Sequence, residues 1–175
     1  CGKMGGALLE GWFKRGLNPV DVMVVENAGR GAVGPCDCHP ALSCVSTIDD
    51  VPKDFRPDVI LFAIKPQIAD QALPAYARFT GDRPVFLSVI AGKTTENLRA
   101  YVGANADVVR AMPNTPASVG KGITALYAPA NVPDFQRKIC EGLRAAGGDG
   151  GGTDDENKMD AVSAVAGSGP AYVCL

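Results

Sequence analysis

The feature that most constrains the fold is a series of short, uninterrupted apolar runs recurring along the chain with helix-forming segments between them. Asp58-Val59-Ile60-Leu61-Phe62-Ala63-Ile64 is the strongest, residues 22–25 are a shorter run of the same kind, 84–89 read as another buried strand, and 42–45, 107–110 and 123–127 are further strand candidates. A strand with one wet face alternates apolar and polar residues, whereas continuous runs suit strands covered on both faces. Strands alternating with helices argue for parallel pairing through right-handed crossovers. The expected fold class is therefore α/β, a doubly wound and mainly parallel sheet whose ligand lies at the carboxyl ends of its strands.

The helical segments differ in their support. Residues 67–76 give a weak helix interrupted by Pro74. Thr94 or Thr95 caps a helix that runs to Tyr101, with Gly103 as its stop. Asn131 is read as the cap of a helix over 133–145, and Asp154 or Asp155 as the cap of one from Glu156 to about Ala166. In the latter, Met159, Val162 and Val165 recur at helical spacing and predict a core-facing stripe. Residues 28–40, rich in glycine and proline, predict a loop or a short distorted helix. Gly147-Gly148-Asp149-Gly150-Gly151-Gly152 predicts a flexible loop, because glycine loses most backbone entropy on ordering and offers no side chain to pack. Gly167-Ser168-Gly169-Pro170-Ala171-Tyr172 breaks the preceding helix, and Pro170 is placed to open another.

At the chain's start, Cys1-Gly2-Lys3-Met4-Gly5-Gly6-Ala7 reads as a phosphate-binding glycine turn without its first glycine. In such a turn one small residue lets the backbone approach the pyrophosphate and another lets the following helix pack on the sheet; Gly2 and Gly5 fit these two roles. Ala7, Leu8, Leu9, Trp12 and Phe13 then follow helical spacing, with Gly16 as a stop, and the helix would aim its first amides at an anion. The strand expected before the turn and an initiator methionine are both missing, so the N-terminus reads as truncated. With 21 glycines in the chain, a plain glycine-rich turn is the competing reading.

Glu26, closing the run Val22-Met23-Val24-Val25, stands about 20 residues after the turn, the spacing at which an acidic side chain accepts hydrogen bonds from an adenosine ribose. The competing reading is a solvated charge at a strand end. Glu26 disfavours a 2'-phosphate, while Asn27 and Arg30 could receive one, so the choice between NADH and NADPH stays open. Lys65-Pro66 ends the strongest strand abruptly. In Arg110-Ala111-Met112-Pro113-Asn114-Thr115-Pro116-Ala117, read as a loop, two prolines restrict the backbone of Asn114 and Thr115, as suits a rigid binding loop.

Composition closes off other classes. A net charge of −2 with no block of Lys and Arg argues against a nucleic-acid or anionic-membrane partner. The six-residue run 59–64 is far short of the ~20 residues that cross a bilayer. Six cysteines fall on unrelated elements, which suits reduced thiols in a cytoplasm better than a secreted disulfide framework. Cys36, Cys38, His39 and Cys44 could in principle hold a soft metal, but no second ligand pair follows, and the expectation is free thiols with His39 at the surface and no metal.

Together, Gly2-Lys3-Met4-Gly5, Ala63-Ile64-Lys65-Pro66-Gln67, Ser88-Val89-Ile90-Ala91-Gly92, Met112-Pro113-Asn114-Thr115-Pro116 and Gly167-Ser168-Gly169-Pro170-Ala171-Tyr172 resemble pyrroline-5-carboxylate reductases, in order and along nearly the whole chain. The resemblance implies a Rossmann-like dinucleotide-binding domain over residues 1–153. Residues 154–175 would begin an all-α domain for substrate and dimerisation. It implies hydride transfer from NADPH or NADH to 1-pyrroline-5-carboxylate, giving L-proline, in a cytoplasmic homo-oligomer joined through that second domain. It puts Cys1, Gly2, Lys3, Met4 and Gly5 on the pyrophosphate and Glu26 and Asn27 near the ribose. Ala63, Ile64, Lys65 and Pro66 with Val89, Ile90 and Ala91 would line the dinucleotide, and Met112, Pro113, Asn114, Thr115 and Pro116 would lie near the nicotinamide. Glu156 would sit in the active-site region, with the catalytic residues beyond Leu175. The glycines at 147–152 depart from the family, which has an apolar strand there. The alternatives are a related NAD(P)-dependent reductase of another small substrate and a non-catalytic nucleotide-sensing module.

Overall fold

The computed structural model describes residues 2–27, 39–114, 116 and 121–164. Expectations for Cys1, for residues 28–38 including Arg30, Cys36 and Cys38, for Thr115, and for Val165 and the motif at 167–172 lie outside the described residues.

The apolar runs form strands as their pattern predicts. Strands β1 (Met23–Val25) and β2 (Ser43–Val45) pair in parallel as a small sheet. A five-stranded sheet follows in the order β3 (Val59–Phe62), β4 (Val85–Ser88), β5 (Asp107–Pro113), β6 (Gly122–Tyr127) and β7 (Gly148–Thr153). Pairs β3–β4 and β4–β5 are parallel, β5–β6 is antiparallel and β6–β7 is parallel.

Residues alternate between two buried faces. Ile60, Phe62, Phe86 and Val108 meet Leu73, Phe79, Leu98 and Val102 on one side. Val85, Leu87, Val109, Ala111 and Leu126 meet Val132 and Cys140 on the other. Two-sided burial is why β4 and β5 carry no polar alternation. Phe86 and Leu98 have no exposed surface, and each such side chain contributes about 1.5–3 kcal/mol relative to an exposed one.

Around the sheets run α1 (Lys3–Lys14), α2 (Ala69–Ala72), α3 (Thr95–Val102), α4 (Asp134–Arg144) and α5 (Lys158–Val162). Helix α1 ends where Gly16 takes the left-handed backbone, φ 95°. It docks closely: a Cβ on Gly11 would lie 2.8 Å from the Ala146 carbonyl oxygen, and Trp12 Nε1 donates to the Leu143 carbonyl at 2.8 Å. Leu9 joins Val24 and Leu42 over the small sheet. Helix α3 has a reciprocal cap, with Asn97 N–H donating to Thr94 Oγ1 and Thr94 N–H to Asn97 Oδ1, and stops at Gly103.

Several expectations are corrected. The glycines at 148–152 are not a loop but strand β7, paired in register from Gly148–Gly122 to Thr153–Tyr127. The ladder needs only backbone groups, and here the absence of side chains is what admits it: a Cβ on Gly150 would lie 2.0 Å from the Thr124 carbonyl oxygen. Residues 110–113 complete β5 rather than opening a loop. Strand β6 turns back antiparallel because the eight residues between β5 and β6 are too few for a parallel crossover, which takes a dozen or more. Residues 66–82 are two 3₁₀ turns flanking the four-residue α2, the second opened by Pro74. Asn131 caps nothing; its Oδ1 accepts from Arg99 Nη2 at 2.9 Å, and α4 starts after Pro133 without a side-chain cap. Helix α5 starts after Asn157, also without one, so Glu156 precedes the helix. His39 is half-buried, its ring edge-on to Phe13 at 4.4 Å between centroids. Met159 is fully buried against Met112 and Ala125, with Val162 beside it, as the helical stripe predicts. Among the described residues, no helix is long and apolar enough to cross a membrane.

Candidate functional site

Strands β3, β4 and β5 run parallel with Phe62, Ser88 and Arg110 aligned, so the segments that leave them emerge at one edge. That edge gathers Ala63, Ile64, Lys65 and Pro66 after β3, Val89, Ile90 and Ala91 after β4, and Met112, Pro113 and Asn114 at the end of β5. Ala63, Ile64, Pro66 and Val89 are half-buried, Lys65 and Ala91 are exposed, and Ile90 is buried. The turn after β4 is fixed locally. Val89 N–H donates to the Phe62 carbonyl at 3.0 Å, Ile90 N–H donates to Ser88 Oγ at 3.2 Å, and Gly92 takes φ 70°.

Beyond β5 the side chain of Asn114 is buried and accepts from Ile123 N–H at 2.8 Å, which pins the end of β5 to the start of β6. Pro116 is half-buried and its carbonyl accepts from Lys121 N–H at 3.2 Å. Met112 is not a loop residue; it faces Met159 in a buried cluster.

At α1, Gly2 is an extended N-cap residue with no capping side chain, and the first turn holds no acidic residue. Gly2 and Lys3 are exposed, Met4 is half-buried, and Gly5 and Gly6 are buried. The first amides of a helix have no intrahelical acceptor, so this end offers backbone donors and the positive end of the helix dipole to an anion. Leu8 and Trp12 share one cleft with Leu87, Val89, Ala111 and Pro113, which sets α1 across the ends of β4 and β5. Glu26 is half-buried directly after β1, its N–H bonded to the Val45 carbonyl at 2.9 Å, and Asn27 is exposed in the next turn. Val25 and Ile64 pack on the same core cluster. An uncapped helix start beside converging parallel strand ends fits a dinucleotide, whose pyrophosphate needs donors and whose rings need apolar walls.

Two polar groups lie near this edge, and of their members only Glu156 was expected from the sequence to belong to the active-site region. Arg110 is 2% exposed inside β5. Its Nη1 donates to Glu156 Oε1 at 3.0 Å and its Nη2 to Asp160 Oδ1 at 3.5 Å. Glu156 also accepts from Thr95, whose N–H donates to Oε1 at 2.7 Å and whose Oγ1–H donates to Oε2 at 3.0 Å. The available signal was the arginine itself, since a charge inside an apolar strand demands a partner. The second group joins Lys93 Nζ to Asp70 Oδ1 at 3.2 Å and to the Tyr101 hydroxyl at 2.9 Å, and that hydroxyl also donates to Asp70. The Tyr101 hydrogen bond, then Lys93, holds the Asp70 carboxyl below its ordinary range, and the same contacts raise the Lys93 ammonium.

No family model matches the chain. Pyrroline-5-carboxylate reductase of Haemophilus influenzae is 31% identical over 174 residues, covering 99% of this chain and 63% of that protein. The structure of a pyrroline-5-carboxylate reductase from Coxiella burnetii superposes with a TM-score of 0.85 at 25% identity, over 98% of this chain and 63% of the other. That of Plasmodium falciparum pyrroline carboxylate reductase with NADP bound gives a TM-score of 0.79 at 24% identity, over 98% and 62%. The chain thus spans about three fifths of the length of these relatives. Sequence identity along nearly the whole chain, with the shared fold, assigns it to the pyrroline-5-carboxylate reductase family.

Proposed function

We propose that the chain is the dinucleotide-binding part of an enzyme that reduces 1-pyrroline-5-carboxylate to L-proline with NADPH or NADH. The observation that carries this reading is the similarity, across 99% of the chain, to an enzyme of that name, on a fold whose strand ends gather the candidate residues at one edge. On the same fold, the P. falciparum structure holds NADP.

The bound nicotinamide would supply the hydride. The chain's own part is to bind and orient. The amides at Gly2, Lys3, Met4 and Gly5, with Cys1, meet the pyrophosphate. Glu26 and Asn27 lie by the ribose. Ala63, Ile64, Lys65 and Pro66 face Val89, Ile90 and Ala91 across the dinucleotide, and Met112, Pro113, Asn114, Thr115 and Pro116 hold the nicotinamide end. Asn114 is suited to this by its bond to Ile123, which holds its own side chain in place. Holding two rings in a reactive pose removes orientational entropy from the barrier. Residues 1–153 form the dinucleotide domain, and 154–175 begin the substrate-side helical domain through which a cytoplasmic homo-oligomer assembles.

The test is an assay of the full-length protein with each nucleotide. Nucleotide oxidation should require pyrroline-5-carboxylate and yield proline, and folded protein that makes none with either nucleotide refutes the reading. In the same assay Glu26→Ala should weaken NADH use more than NADPH use, because a carboxylate accepts ribose hydroxyl hydrogens but repels a 2'-phosphate. Equal losses would assign Glu26 to the strand end alone.

A further inference from the structure

We infer that Glu156 is a positioning residue: its carboxylate is the shared anchor that sets the spacing between the segments after β4 and β5 and the chain beyond residue 154. This rests on the proposed reductase reading and gives Glu156 a role apart from touching substrate.

The argument begins with Arg110. A guanidinium with 2% exposure in the middle strand of a sheet loses nearly all its water, so it must have carboxylate partners in fixed places. Two are offered, and they are unequal. Asp160 is mostly solvated, with 73% of its side chain exposed, and reaches Nη2 only at 3.5 Å. Glu156 is 21% exposed and bonded at 3.0 Å, so it is the principal counter-charge.

Glu156 is itself held from a second side by Thr95, through both its N–H and its hydroxyl. Thr95 is the first residue of α3, so the carboxylate also meets the positive end of that helix. Three donors engage its two oxygens, two on Oε1 and one on Oε2, which fixes the orientation of the carboxylate.

The three tethered points flank the candidate site. Thr95 follows Val89, Ile90 and Ala91 through the Gly92 turn. Arg110 immediately precedes Ala111 and Met112, and Met112 packs on Met159, three residues past Glu156. A shift of Glu156 would therefore move the two lining segments relative to each other and to residues 157–164. Hydride transfer depends on ring-to-ring placement, and a misplacement of about 1 Å made at a distance can cost roughly a hundredfold in rate. Cofactor affinity, spread over the pyrophosphate and ribose contacts, should change much less.

The test uses the full-length protein with Glu156→Gln, which keeps size and acceptor oxygen but loses the charge, with Arg110→Lys and Arg110→Met, and with the Arg110→Met/Glu156→Gln pair. Glu156→Gln should lower kcat by roughly tenfold to a hundredfold while KM for the dinucleotide stays within about threefold. The double variant should lose no more than the worse single, since the two groups act as one unit. Arg110→Lys should retain more kcat than Arg110→Met. Independently of activity, amide exchange in Glu156→Gln should rise together in residues 89–97 and 154–164 and stay unchanged in 59–62. A kcat within about twofold of wild type, losses that multiply in the double variant, or faster exchange in only one of the two segments would overturn the inference. A wild-type protein that makes no proline would overturn the reductase reading instead, and the exchange measurement would still decide the role of Glu156.

Discussion

The glycine strand β7 gives a sharp test, because adjacent positions in it respond oppositely to one added methyl group. At Gly150 a Cβ would sit 2.0 Å from the Thr124 carbonyl oxygen and 2.4 Å from Arg144 Nη1; at Gly151 nothing lies within 4 Å. Neither residue has the left-handed backbone that an alanine would resist, since among the described residues positive φ is confined to Arg83, Gly16, Gly92, Gly103 and Gly148. Gly151→Ala should therefore stabilise by about 0.4–1 kcal/mol, through the lower entropy of the unfolded chain. Gly150→Ala gains the same entropy but must displace a backbone carbonyl that belongs to the β6–β7 ladder. That overpacking costs about 1–3 kcal/mol, for a net loss of up to about 2.6 kcal/mol. At roughly 2–4 °C per kcal/mol, thermal unfolding followed by circular dichroism should show Gly151→Ala about 1–4 °C above wild type and Gly150→Ala below it by up to about 10 °C. If 148–152 were the flexible loop that their composition suggests, both variants would shift slightly upward together. That result would refute the strand.

Other outcomes follow from single contacts. Thr94→Ala removes the reciprocal cap of α3 and should cost about 1 kcal/mol in urea unfolding, with Thr94→Ser close to wild type; equal losses would show that the cap contributes nothing. Burial pushes the Cys140 thiol up to about 12, so it stays protonated in the folded state while the unfolded thiol ionises near its ordinary ~8.5. Its contribution is fully present below pH ~8.5 and is lost as pH rises toward about 12, by up to ~1.4 kcal/mol per pH unit. Unfolding free energies at pH 8 and pH 10 should diverge in wild type and less so in Cys140→Ala, and equal slopes would remove Cys140 from the alkaline loss.

What the sequence made legible is what a local pattern can carry. Continuous apolar runs at 59–62 and 85–88 require cover on both faces, which implies parallel strands, and parallel strands in register bring their exits to one edge. The convergence of residues 63–66 with 89–91 thus followed from period and pairing alone. The Thr94 cap and the Gly16 and Gly103 stops were equally local. The reversal of β6 was not, because strands read at 107–110 and 123–127 leave a dozen residues between them, enough for a crossover, and only the extension of β5 to Pro113 and the start of β6 at Gly122 cut the link to eight. Strand β7 was not legible, because a glycine strand has no side-chain period to read and exists only through the carbonyls and amides of its neighbour.

The least legible part of the site is also the part whose geometry rests on the fewest bonds. The strands themselves are held by ladders distributed over many residues, so the sheet is insensitive to any one side chain. Residues 154–164 join the sheet differently, through Met159 in its apolar pocket and through the carboxylate of Glu156 on Arg110 and Thr95. Glu156 is 46 residues from its arginine and 61 from its threonine, a separation that no periodicity in the chain encodes. A buried arginine in β5 states only that some acid must arrive, and the fold decides which. The position of the segment that follows the dinucleotide edge is therefore set by Glu156 and Asp160 on one distant arginine and by Met159 and Val162 in one apolar cluster, and substitutions there should alter alignment before they alter the sheet that binds.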